Sequence, residues 1–212
     1  MTDDDDDDPR QPAVPPALKH RTIAIGLCVV AAAALLVATL SHRWLANPVD
    51  TDIGAGLLSM QVCQSGSCES KSNGDVVEEL RHDEADRDDW VGEHPDPPSR
   101  WFGRLGVTTF VLALVAIGAL LAAAGLALAR KRPELPVNPT TIALVALTLA
   151  IPAACLFAAT KPEAIPLGVS WSFWLFGGGD VVGLLAALLV SRQLRPDDPD
   201  LLEDAMNPDD FE

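Results

Sequence analysis

The sequence predicts an all-α membrane protein: a four-transmembrane-helix bundle with a small disulfide-stapled extracytoplasmic β-hairpin or sheet and a short helix. Three observations predict it. The chain of 212 residues carries a formal charge of -15 yet has a mean hydropathy of +0.21. That charge is segregated: six of the 30 acidic residues lie at positions 3–8, thirteen between residues 41 and 104, and eight after residue 195. Only Glu134, Glu163 and Asp180 fall elsewhere, so the remainder is four apolar blocks. Third, Cys63 and Cys68 sit close together in the longest polar segment. A soluble globular enzyme does not have this composition. Nucleic acid is not an expected partner either, because phosphate neutralisation needs clustered Lys and Arg.

Each span follows from length. A helix needs about 20 apolar residues to cross a hydrocarbon layer of roughly 30 Å, since in lipid its backbone polar groups must pair internally. Residues 21–40, 105–129, 140–160 and 167–190 meet that requirement, the last interrupted by Gly177, Gly178, Gly179 and Asp180. The first is read as a span and not as a cleaved signal. It begins beyond an acidic, proline-rich tail (1–20), exceeds a usual signal core, and is followed by His42, Arg43 and Trp44 as an interfacial anchor. Trp101 and Phe102 anchor the second span, and Trp171 and Trp174 the fourth.

Orientation comes from the short loops. Arg130, Lys131 and Arg132 occupy loop 130–139, whereas Lys161 is the one basic residue of loop 161–166, so the former is cytoplasmic. Both termini then lie inside, residues 41–104 lie outside, and the setting is a plasma or bacterial inner membrane. The tail at 1–20 is expected to be disordered. The acidic tail at 191–212 is either a solvated surface or a short motif that docks on a cytoplasmic partner.

Within loop 41–104, Leu58, Met60 and Val62 alternate with Ser59 and Gln61 at the period of a strand. A hairpin through Gln64, Ser65, Gly66 and Ser67 brings Cys63 and Cys68 within disulfide reach. The pair is read as a structural disulfide, with thiol exchange as the alternative. Asp75 to Glu78 has the spacing of a helix cap, and Val76, Val77, Leu80 and Ala85 form the apolar side of the helix that follows. Asp83, Glu84, Asp86, Asp88 and Asp89, with His82 and His94, form either a solvated acidic surface or a cation site; their spacing matches no calcium loop. Pro95, Pro97 and Pro98 make a stiff linker into the second span.

These residues together resemble the claudin and peripheral myelin protein superfamily. Its loop signature of Trp, Gly-Leu-Trp and two cysteines is followed in order by Trp44, by Gly56 and Leu57, and by Cys63 and Cys68. Trp171 and the cluster Gly177, Gly178 and Gly179 are similar to its fourth span. Leu58 stands where the second Trp belongs, the cysteines are closer together than usual, and the poly-Asp tail and Asp180 are foreign to the family. The resemblance implies an outer sheet crossed by the disulfide, a short outer helix before the second span, association with itself or with partner subunits, and no catalysis.

Asp180 is the remaining candidate. An ionisable residue in mid-span costs about 2.5–3.5 kcal/mol on insertion scales and so faces protein or water. It is read as a proton or cation group, as an intermolecular partner, or as an acid hydrogen-bonded to a carbonyl or to Thr148. Gly177, Gly178, Gly179 and Gly183 are expected to permit close helix packing, the last two at G-x-x-x-G spacing. Cys28 and Cys155 are read as small buried hydrophobes. No phosphate loop, metal cluster or nucleophile with its base occurs in the sequence, and no cofactor is assigned.

Overall fold

The computed structural model describes residues 16–48, 52–64, 67–85, 99–129, 138–163 and 165–194. The expectations for residues 1–15, 86–98, 130–137 and 195–212 lie outside them. Four long helices form the bundle: α1 (Pro16–Leu40), α3 (Trp101–Ala129), α4 (Pro139–Ala159) and α5 (Trp171–Leu194). Within them, Arg21–Leu40, Trp101–Ala129, Pro139–Ala159 and Trp171–Arg192 are long and apolar enough to cross a membrane, as in a multi-pass membrane protein. Helix α1 begins inside the tail expected to be disordered, at a proline whose fixed φ suits a first helical turn.

The helices are apolar all round, which a lipid solvent requires and water does not tolerate. On α1, Ala24, Cys28, Ala31, Leu35 and Ala38 are fully buried at steps of three or four, while Val29, Val30, Leu36 and Val37 on the other faces are exposed. Cys155, expected to be buried, is exposed on α4. Helix α1 packs against α5 and α3, and α4 closes the ring against the same two. The chain runs up and down: at the start of α1, the Arg21 guanidinium donates to the carbonyls of Ala127 and Leu128, which end α3. Those carbonyls have no partner within their own helix, so the arginine serves as their cap.

At the opposite end, five short strands form one antiparallel sheet. They are β1 (Leu45–Ala46), β2 (Ile53–Ala55), β3 (Ser59–Gln64), β4 (Ser67–Ser72) and β5 (Gly168–Val169), in the order β4-β3-β2-β1-β5. The predicted hairpin is β3–β4, with Cys63 opposite Cys68 and Gln64 opposite Ser67. Strand β5 corrects the reading of residues 167–190 as continuous helix. Gly168 and Val169 pair with Ala46 and Leu45, and the helix starts only at Trp171. The second span likewise starts four residues early, at Trp101.

Helix α2 (Asn73–Ala85) follows β4 directly. Its cap is not Asp75: the Asp75 amide donates to Ser72 Oγ at 3.1 Å, so Ser72 satisfies the first turn. Val76 and Val77 are buried and Leu80 packs against the same core, as the apolar pattern predicts.

Two glycines let α3 reach this cap. A Cβ on Gly103 would lie 3.0 Å from the Gly74 nitrogen, and one on Gly106 would overlap the Leu57 carbonyl oxygen. Gly118 and Gly125, further along α3, face open space. Overpacking a tight contact typically costs 1–3 kcal/mol. Gly106→Ala is therefore expected to lower thermal stability in detergent by about that amount, and Gly118→Ala, made alongside, to leave it unchanged or slightly higher.

Candidate functional site

The residues singled out by sequence converge where the sheet meets the bundle. Trp44 is fully buried; it is not an interfacial anchor. Its Nε1–H donates to the Ala38 carbonyl at 2.6 Å, its amide donates to Ala55, and its carbonyl accepts from Ser170. The ring lies 4.8 Å from Phe176, 6.0 Å from Phe173 and 6.2 Å from Phe157, centroid to centroid. Phe102 is corrected in the same way: it is buried and stacks on Phe157 at 4.6 Å. Trp101, Trp171 and Trp174 are exposed at the starts of α3 and α5, where an aromatic belt belongs.

Gly56 and Leu57 form the turn between β2 and β3. A Cβ on Gly56 would sit 3.0 Å from the Ser41 carbonyl oxygen, so only glycine allows the chain to pass there unstrained. The Gly56 and Leu57 carbonyls both accept from Asn73 Nδ2, at 3.0 and 2.9 Å. Asn73 is 1% exposed and was not singled out by the sequence. Its place at the β4–α2 junction is the one available clue, since Asn is common at helix starts and turns alike.

The disulfide joins Cys63 and Cys68 across the β3–β4 ladder, with Cα atoms 4.0 Å apart. Strand β4 is an edge strand, exposed along its whole length. Lys71 on that strand meets Glu79 of α2 at 2.8 Å, and this hydrogen-bonded carboxylate raises the ammonium pKa above its ordinary value.

Asp180 lies on the inward face of α5, between Phe176 and Gly183, and is fully buried. Neither carboxyl oxygen has a hydrogen-bond partner. Thr148 is not that partner: it is exposed, and its hydroxyl donates to Leu144 of its own helix at 2.7 Å. The glycines divide. Gly179 approaches Ala34 and Leu35 of α1, and Gly183 approaches Leu147 and Leu120, whereas Gly177 and Gly178 face open space and do not pack within the chain. Among the described residues, no group of three or more His, Cys, Asp or Glu is placed to hold a metal ion.

The arrangement is one of packing and hydrogen bonds, in which Asn73 Oδ1, Thr39 Oγ1 and the Asp180 carboxyl are buried polar groups without a hydrogen-bond partner among the described residues. Compared with known proteins, the chain matches no family model and no curated relative. The fold and its geometry therefore carry the functional reading.

Two variants test the accounting. Asn73→Ala leaves two buried carbonyls without a donor and is expected to cost about 1–3 kcal/mol, read by thermal unfolding in detergent. Asp180→Leu removes an unpartnered buried polar group and is expected to raise stability by a similar amount. A loss of stability in Asp180→Leu would mean that the carboxyl has a partner.

Proposed function

We propose that this chain is a non-enzymatic, claudin-like membrane protein that works by making protein contacts, either with copies of itself or as an accessory subunit of a larger membrane complex. Its sheet-capped end faces away from the cytoplasm, in a plasma or bacterial inner membrane, and both termini are cytoplasmic. The observation that carries this reading is the open edge of the sheet. Strand β4 is an outer strand of the sheet and is exposed along its length, and an exposed edge strand is a template for another chain. The disulfide and the Asn73 bonds hold that edge in a fixed shape, so less ordering is lost on association.

The resemblance stated from the sequence supports the same reading. The expected sheet, the cysteine bond across it and the short helix before the second span are all features of this fold. Gly177 and Gly178, open on α5, offer a second contact surface of small residues within the membrane. A role of Asp180 in moving protons or cations is the second reading, favoured by its unpartnered carboxyl and removed if Asp180→Asn leaves flux through reconstituted vesicles unchanged. Thiol exchange is less favoured, because Cys63 and Cys68 are already joined across a regular ladder.

Ser70→Cys, at the middle of β4, provides the test. Mild oxidation of native membranes is expected to trap a product at twice the 22.5 kDa of the chain, or a discrete heavier adduct with one other subunit. A chain that stays monomeric there, and also on native electrophoresis after gentle extraction, sinks the proposal.

A further inference from the structure

Helix α2 and the lead-in to α3 enclose a pocket of about 550 Å³ lined by Gly74, Val77, Glu78, Arg81, His82 and Arg100. Its charge runs against its surroundings. Residues 41–104 hold thirteen acids and six Lys or Arg, yet among the described residues two arginines and a histidine line this pocket with one acid. His82, singled out with the acidic cluster, lines this pocket beside Arg81 and Arg100. Among the described residues, neither Arg81 nor Arg100 is in an ion pair; the nearby Lys71 takes Glu79. Two guanidinium groups that make no ion pair among the described residues, set in a concave site, are suited to an anion, and their paired donors match the oxygens of a phosphate.

The depth of the pocket narrows the source of that phosphate. Arg100 immediately precedes Trp101, which is 61% exposed on the first turn of α3, with the Arg104 guanidinium 5.6 Å over its ring. Exposed tryptophans at the end of a membrane helix sit at the level of the lipid headgroups, and Trp171 and Trp174 occupy the same position on α5. Arg100 therefore stands where phospholipid phosphates lie. Glu78 adds a further condition. A bare polyanion meets its negative charge, whereas a headgroup that pairs phosphate with a hydrogen-bond donor satisfies both signs.

We propose that this pocket binds the phosphodiester headgroup of a membrane phospholipid, Arg81 and Arg100 holding the phosphate while Glu78 accepts from the headgroup's ammonium or hydroxyl. Buried Val77 supplies an apolar wall for the intervening carbons. A lipid seated there bridges α2 to the start of α3 and ties the sheet-capped end to the plane of the bilayer.

Native mass spectrometry of the full chain in mild detergent tests this, with phosphatidylethanolamine, phosphatidylglycerol, phosphatidylcholine and inorganic phosphate as separate probes. The wild-type chain is expected to retain one phosphatidylethanolamine or phosphatidylglycerol, and to retain phosphatidylcholine, which has no such donor, several-fold less. Arg81→Gln with Arg100→Gln should cut retention at least tenfold, and Arg100→Gln alone, at an exposed position, by a smaller factor. Lys71→Gln, outside the pocket, should change nothing. Matching unfolding temperatures show that the variants are folded. Undiminished retention by both arginine variants, no lipid retained by the wild type, or displacement of the lipid by inorganic phosphate at millimolar concentration would each overturn the proposal, the last by making the pocket a site for free anions.

Discussion

The hydrogen bond from Trp44 Nε1 to the Ala38 carbonyl is the joint on which the two halves of this molecule depend. Ala38 lies in the last turn of α1, where its carbonyl accepts from the Ser41 amide at 3.2 Å in place of a regular helical donor and has room for a second, stronger bond. The same indole that supplies this second donor sits among Phe157, Phe173 and Phe176, so one side chain closes a helix end and fills the space above the bundle. The backbone on either side of that ring is shared between β2 and the residue that follows β5. A polar ring nitrogen and an apolar ring body are both needed, which explains why tryptophan and not phenylalanine stands there.

Below that joint the bundle is built from small residues, mostly alanine, and gains its cohesion from close backbone approach. In lipid this is expected, because apolar side chains gain little by leaving one hydrocarbon for another and helices associate through packing. Gly179 and Gly183 bring α5 close to α1 and to the α3–α4 pair, and Asp180 is carried inward between them. Its burial is thus a consequence of the close approach of α5 to its neighbours at these two glycines.

Much of this was legible beforehand, and the misreadings share a cause. The spans, the β3–β4 hairpin and the bond between Cys63 and Cys68 follow from periodicity and spacing, which are local properties. Trp44 and Phe102 sit at helix ends, as interfacial aromatics do, and only tertiary contact distinguishes a ring under a sheet from a ring among headgroups. Asn73 carries no local mark of its bonds to residues 56 and 57. Strand β5, at two residues, is too short to show any alternation, and exists because β1 offers it an edge. The cap at Ser72 and not Asp75 is a shift of three residues, because Ser and Asp both carry a capping oxygen and the local pattern does not choose between them.

The placement of β5 also sets an order of events during synthesis. Strands β1 and β2 and the β3–β4 hairpin lie within residues 45–72, but their fifth partner comes from residues 168–169, beyond two complete membrane helices. A chain made from its N-terminus presents the first four strands while α3 and α4 have yet to be inserted. Until α5 emerges, the Trp44 carbonyl lacks the Ser170 amide and Ser41 lacks the Ser172 hydroxyl that meets it at 2.7 Å. The segment that leads into α5 therefore completes the sheet, so a chain truncated after α4 leaves the ribosome without its fifth strand.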